Sequence, residues 1–295
     1  FGKSVIMPHP KQRFVSVAKN VGGKMPRLIL NTGCCTYPNY NETNHRGGKA
    51  SRRHQIGFCV VDALEEKLYL PRLVPARADG SFVDLGVEYR PGKDPREIKA
   101  QAMVLGDFHI PFQDDDSVQA TFEMIQQFKP SEVYVHDLID FNSIAHHNLN
   151  DDVWQMWLAE MGGDYDSLEI EVGLGLDFLK DLSKVVGRGE IRLVPSNHDY
   201  FVHKWLRNSS DRRDRKNARM GSEIFSKYRR GDSPLMRALE CVGEIPDNVS
   251  FLGLTEDSKP WGYECSCHGH LGINGGRGTL KGFQKSFGKV LIGHT

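Results

Sequence analysis

The chain has 295 residues, of which 39% are hydrophobic and 26% charged, values typical of a soluble folded protein with one large or two modest domains. Lys plus Arg equals Asp plus Glu at 38 each, which excludes a polycation, so any binding of nucleic acid must use local basic patches. The sequence contains no apolar run as long as the roughly 20 residues of a membrane span, and its first residues lack a signal-peptide pattern. We expect the six cysteines to be reduced thiols in a cytosolic setting, because their spacing does not suggest a disulfide framework.

Residues 1–98 predict a small antiparallel β module, since short alternating apolar segments are separated by turn residues. Residues 1–25 are predicted to be a poorly ordered basic arm or a partner-binding segment. The other predicted elements are strands over 27–30, 56–61, 67–73 and 82–85, a loop over 38–54 and a linker over 91–95. The loop carries a basic stretch from Arg46 to His54. The module is expected to bind a partner or to build a homo-oligomer, and its sequence does not decide between the two.

Residues 99–295 alternate between strand and helix patterns, which predicts a layered α/β domain with ligands at the carboxyl ends of its strands. The predicted strands are 102–105, 132–135, 191–194, 249–252, 263–267 and 290–292. The predicted helices are 116–128, a long helical region over 153–186, a helix from Tyr200 onward and a helix over 277–287.

Short motifs rich in His, Asp and Asn stand where these strands should end. They are Gly106-Asp107-Phe108-His109, His136-Asp137-Leu138-Ile139-Asp140, Ser196-Asn197-His198-Asp199, Cys267-His268-Gly269-His270 and Gly293-His294-Thr295. A lone His or Asp at such a position is more often structural, but carboxylate, imidazole and amide ligands at several strand ends favour a two-metal phosphoester-cleaving site. Alternate residues of an extended segment point the same way, so Asp107 and His109 can reach one ion.

In this order the motifs resemble those of the calcineurin-like metallophosphoesterase superfamily, over about residues 101–295. The resemblance implies a four-layer α/β/β/α sandwich of two packed mixed sheets, preceded here by the β module. It also implies two divalent ions, with Mn2+ preferred and Mg2+, Fe2+ or Zn2+ as alternatives. The expected reaction is hydrolysis of a phosphodiester by a hydroxide that bridges the two ions.

The resemblance also implies a role for each matching residue. By motif position, the first ion would be bound by Asp107 and His109, both ions by Asp137, and the second ion by Asn197, His268 and His294. His198 would face the scissile phosphate as a general acid or a transition-state stabiliser, and Asp140 would orient it. Two alternatives stay open: His270 in place of His268, and a zinc site that uses Cys265 and Cys267 with these histidines.

The chain departs from the family pattern at several positions. The family's last motif is Gly-His-x-His with a final His that binds the first ion, whereas this sequence stops at Thr295, so we expect a fragment of something longer or a missing ligand. His136 and Ser196 replace turn glycines of the family. Phe141 stands where the protein phosphatases of the superfamily have Arg, which disfavours a phosphoprotein substrate.

Basic residues after the Asn-His-Asp motif make DNA the leading substrate. The candidates for gripping phosphates are Arg212, Arg213, Arg215 and Lys216, together with His146 and His147 after the Asp137 loop. The opposing interpretation is a solvated helix face that nearby acidic residues balance. Trp154 and Trp157 are candidates for stacking on bases, although their spacing favours packing.

The β module and its following motifs are also similar to a phage-encoded branch of the superfamily that degrades host DNA. This similarity implies a manganese-dependent DNase in the infected host's cytoplasm. The alternatives are a phosphoesterase for a small nucleotide and a non-catalytic DNA-binding or scaffold protein with an incomplete metal site.

Overall fold

The structure is a computed structural model, which describes residues 4–17, 27–65, 68–145, 151–161, 165–208, 214–272 and 275–294. The fold is mixed α/β, and the chain divides into two compact units, Phe1–Ile98 and Lys99–Thr295. Among the described residues, no helix is both long enough and apolar enough to span a membrane. All six cysteines are free thiols.

The first unit contains eight strands and one short helix in its described part. They are β1 (Val5–Met7), β2 (His9–Val17), β3 (Arg27–Gly33), α1 (His45–Ser51), β4 (Gly57–Glu65), β5 (Leu68–Pro75), β6 (Phe82–Asp84), β7 (Val87–Arg90) and β8 (Lys93–Glu97). The strands form three small sheets with the orders β1-β3-β2, β4-β5 and β6-β7-β8. Every pair is antiparallel except β1 with β3, so the prediction of an antiparallel module describes most but not all of the pairing.

Three segments of this unit differ from the sequence prediction. Strands β1 and β2 lie where an arm without regular structure was expected, because both pair with β3, which follows them in the chain. Helix α1 lies inside the predicted loop, where the Asn44 side chain accepts a hydrogen bond from Gly47 N and caps the helix. Strand β8 includes residues 93–95 of the predicted linker, and its Pro95 is tolerated because β8 is the edge strand of its sheet.

The second unit is built on a four-stranded parallel sheet with the order β12-β11-β10-β9. Its elements are β9 (Ala102–Asp107), α2 (Asp115–Phe128), β10 (Glu132–His136), α3 (Asp152–Glu160), α4 (Leu168–Val186), β11 (Glu190–Leu193), α5 (Asp199–Arg207), α6 (Ala218–Lys227), α7 (Pro234–Val242), β12 (Val249–Phe251) and α8 (Leu280–Phe287). The long helical region predicted over 153–186 contains the two helices α3 and α4.

The sheet is covered on both faces, as parallel sheets usually are. Val133 and Val135 of β10 belong to the larger core, in which α4 contributes Val172 and Leu176. Tyr134, between them in the chain, lies on the other face in a smaller buried cluster that includes Leu252 and Cys265. Beyond that cluster, the predicted strands 263–267 and 290–292 are represented by one parallel bridge, between Glu264 and Val290.

Candidate metal centre

The loops that follow β9 and β10 are joined backbone to backbone. Both Phe108 N and His109 N donate to the carbonyl oxygen of Asp137, at 3.2 and 2.8 Å. His109 and Asp137 have φ values of 50° and 39°, in the left-handed region that residues other than glycine rarely adopt. Such backbone strain clusters at functional sites, where the surrounding structure holds it in place. These loops present Asp107, His109 and Asp137 to one another at the carboxyl ends of neighbouring strands.

Asp137 belongs to two groups of potential metal ligands. One group is Asp107, His109 and Asp137, and the other is Asp137, His268 and His294; within each group the ligand atoms lie within 4.8 Å of one another. Asp137 Oδ2 is 3.0 Å from His268 Nε2 and 3.7 Å from His109 Nε2. Asp137 therefore lies between histidines from two separate parts of the chain.

The donor set fits divalent ions. With metal–ligand bonds of about 2.0–2.2 Å, neighbouring ligand atoms of one ion lie roughly 3.0–3.5 Å apart, close to the separations around Asp137. Asp137 is 2% exposed, and its Oδ1 is buried without a hydrogen-bond partner among the described residues. Burial alone would raise the pKa of this carboxyl, but the hydrogen bond and charge of His268 outweigh it and hold the pKa well below its usual range. A buried, ionised carboxylate with an unused oxygen is suited to binding a cation.

Asn197 and His294 lie beside the same buried histidine. Asn197 Oδ1 is 3.0 Å from His268 Nε2. His294 N donates to the carbonyl oxygen of His268 at 2.7 Å, and the two rings are 5.2 Å apart between centroids. The structure thus brings together all six residues predicted as ligands, and His268 rather than His270 is the histidine next to Asp137.

Gly293 allows this close approach. A Cβ atom at Gly293 would lie 2.7 Å from Asp107 Oδ1 and 3.0 Å from His268 Nδ1. Any side chain there would push against two of the candidate ligands, so the glycine is part of how the ligand set is packed.

Asp140 contacts both His109 and His198, of which the sequence predicted only the second. Its Oδ1 is 2.7 Å from His109 Nδ1, and this hydrogen bond raises the pKa of His109. The contact directs His109 Nε2 away from Asp140 and toward Asp137, an arrangement that commonly orients metal-binding histidines. His198 Nδ1 donates to the Asp140 carbonyl oxygen at 2.7 Å and lies 3.3 Å from Asp140 Oδ1. His198 Nε2 is left as the nitrogen able to exchange a proton with a ligand.

Two buried acids that the sequence analysis missed hold the loops of the site. Asp199 Oδ2 accepts a hydrogen bond from Ser196 N, which fixes the turn that carries Asn197 and His198. Burial raises the pKa of Asp199 to about 7. Glu171 accepts hydrogen bonds from Asn142 N and from Ser143 N and Oγ, directly after Asp140, and burial raises its pKa to about 8.

The sequence pattern around Glu171 in α4 indicates that this residue is buried. It lies between Leu168 and Leu176 on the face that also carries Val172, which is fully buried. An acidic residue on the apolar face of a core helix needs hydrogen-bond donors nearby, and here the Asp140 loop supplies them.

Two further histidines line the site without joining a ligand group. His136 Nδ1 is 3.3 Å from His268 Nδ1, and burial lowers the pKa of His136 to about 4. His270 stacks at an angle near His268, with centroids 5.4 Å apart, and burial lowers its pKa to about 4. Neither Cys265 nor Cys267 belongs to a ligand group among the described residues, so no zinc cluster of the predicted kind is present there.

The predicted substrate-binding residues are only partly described. Arg212, Arg213, His146 and His147 lie outside the described residues. Arg215 is exposed, and Lys216 forms an ion pair with Asp166. The chain reaches this region through α5, which starts next to His198 and runs about 14 Å at 1.5 Å per residue.

Aromatic side chains form a cluster beside the metal-ligand loops. Phe112 N donates to the His109 carbonyl oxygen at 2.7 Å, and the Phe112 ring lies parallel to Trp157 with centroids 6.3 Å apart. Trp157 also contacts Trp154 at 4.6 Å and is 42% exposed. The exposed indole of Trp157 contacts Phe112, which is hydrogen-bonded to His109, so it offers a surface for stacking near the site.

The fold and the site together define a mixed α/β protein with clustered His, Asp and Asn side chains suited to divalent ions. The chain is similar to Protein A1 of Escherichia phage T5, with 31% identity over 293 residues, which cover 92% of this chain and 51% of that protein. The chain therefore spans about half the length of this curated relative. No family model and no solved structure matches the chain.

Proposed function

We propose that this chain is a metal-dependent phosphodiesterase of the calcineurin-like metallophosphoesterase superfamily, and specifically a DNase that uses two divalent ions. One observation carries the proposal: Asp137 is shared by two groups of ligand residues drawn from the predicted motifs. A single-ion or purely structural role for these residues would not require a buried carboxylate between two sets of donors. The similarity to a phage protein agrees with a phage-type branch of the superfamily.

The proposed fold within the superfamily is the four-layer α/β/β/α sandwich. The parallel sheet β12-β11-β10-β9 would be one of its two sheets. The two segments joined by the Glu264–Val290 bridge would contribute to the second sheet. Cys265, next to Glu264, lies in the smaller buried cluster, on the face of the first sheet opposite the larger core.

The chemistry follows from the positions of the side chains. When bound, two divalent ions neutralise phosphodiester oxygens and lower the pKa of a water so that hydroxide is available near neutral pH. Six residues would hold these ions: Asp107, His109, Asp137, Asn197, His268 and His294. His198 donates a proton to the leaving alkoxide through Nε2, since Nδ1 is held by the Asp140 carbonyl oxygen. The Asp140 carboxylate lies 3.3 Å from His198 Nδ1 and helps to orient the imidazole for this step.

DNA is the proposed substrate, and Mn2+ the proposed metal. Exposed basic residues such as Arg207 and Arg215 follow the His198 turn and supply positive charge for phosphates. The exposed face of Trp157 supplies a stacking surface for a base. The proposed place of action is the cytoplasm of a phage-infected host cell.

A plasmid-degradation assay tests the function. We expect cutting with Mn2+ that a chelator stops, abolished in Asp137→Asn and lowered on the order of 100-fold or more in His198→Ala, the usual scale for a lost general acid. Asp177→Asn is the matched control, because it makes the same chemical change at an exposed position on α4. Equal cutting by Asp137→Asn and Asp177→Asn would reject the metal-bridging role.

A small phosphodiester is the second candidate substrate. The observation that favours it is the neutralisation of part of the basic segment, since Arg219 pairs with Glu169 and Glu223. A chromogenic phosphodiester compared with plasmid DNA separates the two candidates. Turnover of the small ester with no cutting of DNA would favour the second.

A further inference from the structure

We propose that the first unit carries a separate binding site for the phosphodiester backbone of DNA, in a basic cavity between β2 and α1. The cavity has a volume of about 450 Å³. Its lining includes four cationic side chains, Lys11, Arg46, Lys49 and Arg53, together with His9 and Tyr40. No acidic residue lines it.

The four cations form no ion pairs in the described part of the chain. Among the described residues, none of them forms an ion pair with an Asp or Glu, whereas Arg72, Arg77 and Arg96 of the same unit all do. Arg46, Lys49 and Arg53 are exposed, so their charges are available to a ligand. Four unneutralised cations around one cavity repel one another, and an anion with several charges relieves that repulsion.

The wall of the cavity is fixed by hydrogen bonds. Tyr40 OH is 3.0 Å from His54 Nδ1, and His54 Nε2 is 2.6 Å from the Thr36 carbonyl oxygen. On the other side, α1 places Arg46 and Lys49 three residues apart, on one face of the helix. The cations are therefore presented by ordered elements rather than by a loop without contacts.

The size and charge of the cavity favour a polymer of phosphates over a single ion. Its volume exceeds that of one phosphate group, and its cations come from two separate segments of the chain, β2 and the stretch from α1 to Arg53. Arg and Lys side chains that converge in this way bind successive backbone phosphates without reading the bases. The site lies wholly in the first unit, so its existence does not depend on the metal centre.

Fluorescence anisotropy with a labelled DNA duplex tests this site in the full chain, with chelator present so that no cutting occurs. We expect Arg46→Gln/Lys49→Gln to weaken binding on the order of tenfold or more near about 0.1 M salt. The slope of log affinity against log salt should become less steep by about 1.8, since each lost phosphate contact removes about 0.9. The matched control is Lys281→Gln/Lys285→Gln, which removes the same charge from exposed positions on α8.

A second variant, Arg53→Gln, should weaken binding in the same direction, and thermal melting should be unchanged in all variants. Equal losses in the α1 and α8 variants, or no loss in either, would overturn the proposal. An RNA strand and inorganic phosphate serve as comparison ligands. A loss confined to RNA, or full displacement of the DNA by millimolar phosphate, would also reject a DNA-backbone site.

Because the readout is binding without metal, it is independent of the phosphodiesterase proposal. A chain that cuts DNA but shows no effect of Arg46 and Lys49 would keep the proposed function and lose this inference. A chain that binds DNA through the cavity but cuts nothing would keep this inference and lose the proposed function.

Discussion

Gly293→Ala should weaken metal binding although it removes no ligand atom. The added Cβ would lie 2.7 Å from Asp107 Oδ1 and 3.0 Å from both His136 Cγ and His268 Nδ1. Ordinary van der Waals contact begins near 3.4 Å, so Asp107 must move by several tenths of an ångström. Moving a candidate metal ligand by this distance should have an effect similar to removing a hydrogen bond that orients it. Such a loss typically lowers metal affinity by about 10–100-fold.

Isothermal titration with Mn2+ measures this effect directly. Gly106→Ala is the matched control, because it lies next to Asp107 yet its Cβ would meet nothing within 4 Å. Thermal melting with chelator present separates a change in metal affinity from a general loss of stability, which overpacking also causes at about 1–3 kcal/mol. Wild-type Mn2+ affinity in Gly293→Ala, or an equal loss in Gly106→Ala, would refute the packing argument.

Three further predictions concern stability and substrate binding. Burial raises the pKa of Glu171 from 4.5 to about 8, so the folded state retains a proton that the unfolded state releases, and the free energy of unfolding should fall by a few kcal/mol as pH rises across that window. Glu171→Gln should remove this slope in urea unfolding at several pH values, and an unchanged slope would contradict the assignment. Gly173→Ala, in α4 with open space for a Cβ, should stabilise the protein by about 0.4–1 kcal/mol, and destabilisation in the same measurement would count against the helix. Trp157→Ala should weaken DNA binding by about 1–3 kcal/mol without changing Mn2+ affinity, because the exposed indole would no longer stack on a base. An unchanged DNA affinity would contradict this role.

The proximity of Asp107 and Asp137 was predictable because a parallel sheet constrains it. Asp107 and Asp137 lie at the carboxyl ends of two apolar strands. The carboxyl ends of neighbouring parallel strands meet at one edge of a sheet, independently of the conformation of the loops. Alternation along the chain then indicated which side chains point together. The convergence of the later motifs on the same place depends on long connections, and the family resemblance rather than periodicity predicted it.

The orienting contacts were not predictable in the same way. The hydrogen bond from His109 to Asp140 and those from the Asp140 loop to Glu171 join segments remote in sequence, through loop conformations that no local pattern specifies. Residues such as Phe141, with φ of 57°, adopt backbone angles that propensity disfavours.

The first unit was harder to predict for a related reason. Strand β2 is largely polar and contains no buried residue, and its partner β3 follows it, so pairing rather than its own composition makes it a strand. Helix α1 contains Gly47 and Gly48, which lower helix propensity, and its Asn44 cap offsets part of that cost.

Counting the Mn2+ ions bound per chain, by titration and by the metal content of dialysed protein, tests the shared role of Asp137 most directly. We predict two ions for the wild type and for Asp177→Asn. Asp137→Asn should hold fewer ions, and more weakly, because both ligand groups lose a common member. Binding that is absent from the wild type, or that Asp137→Asn leaves unchanged in number and affinity, would contradict the account.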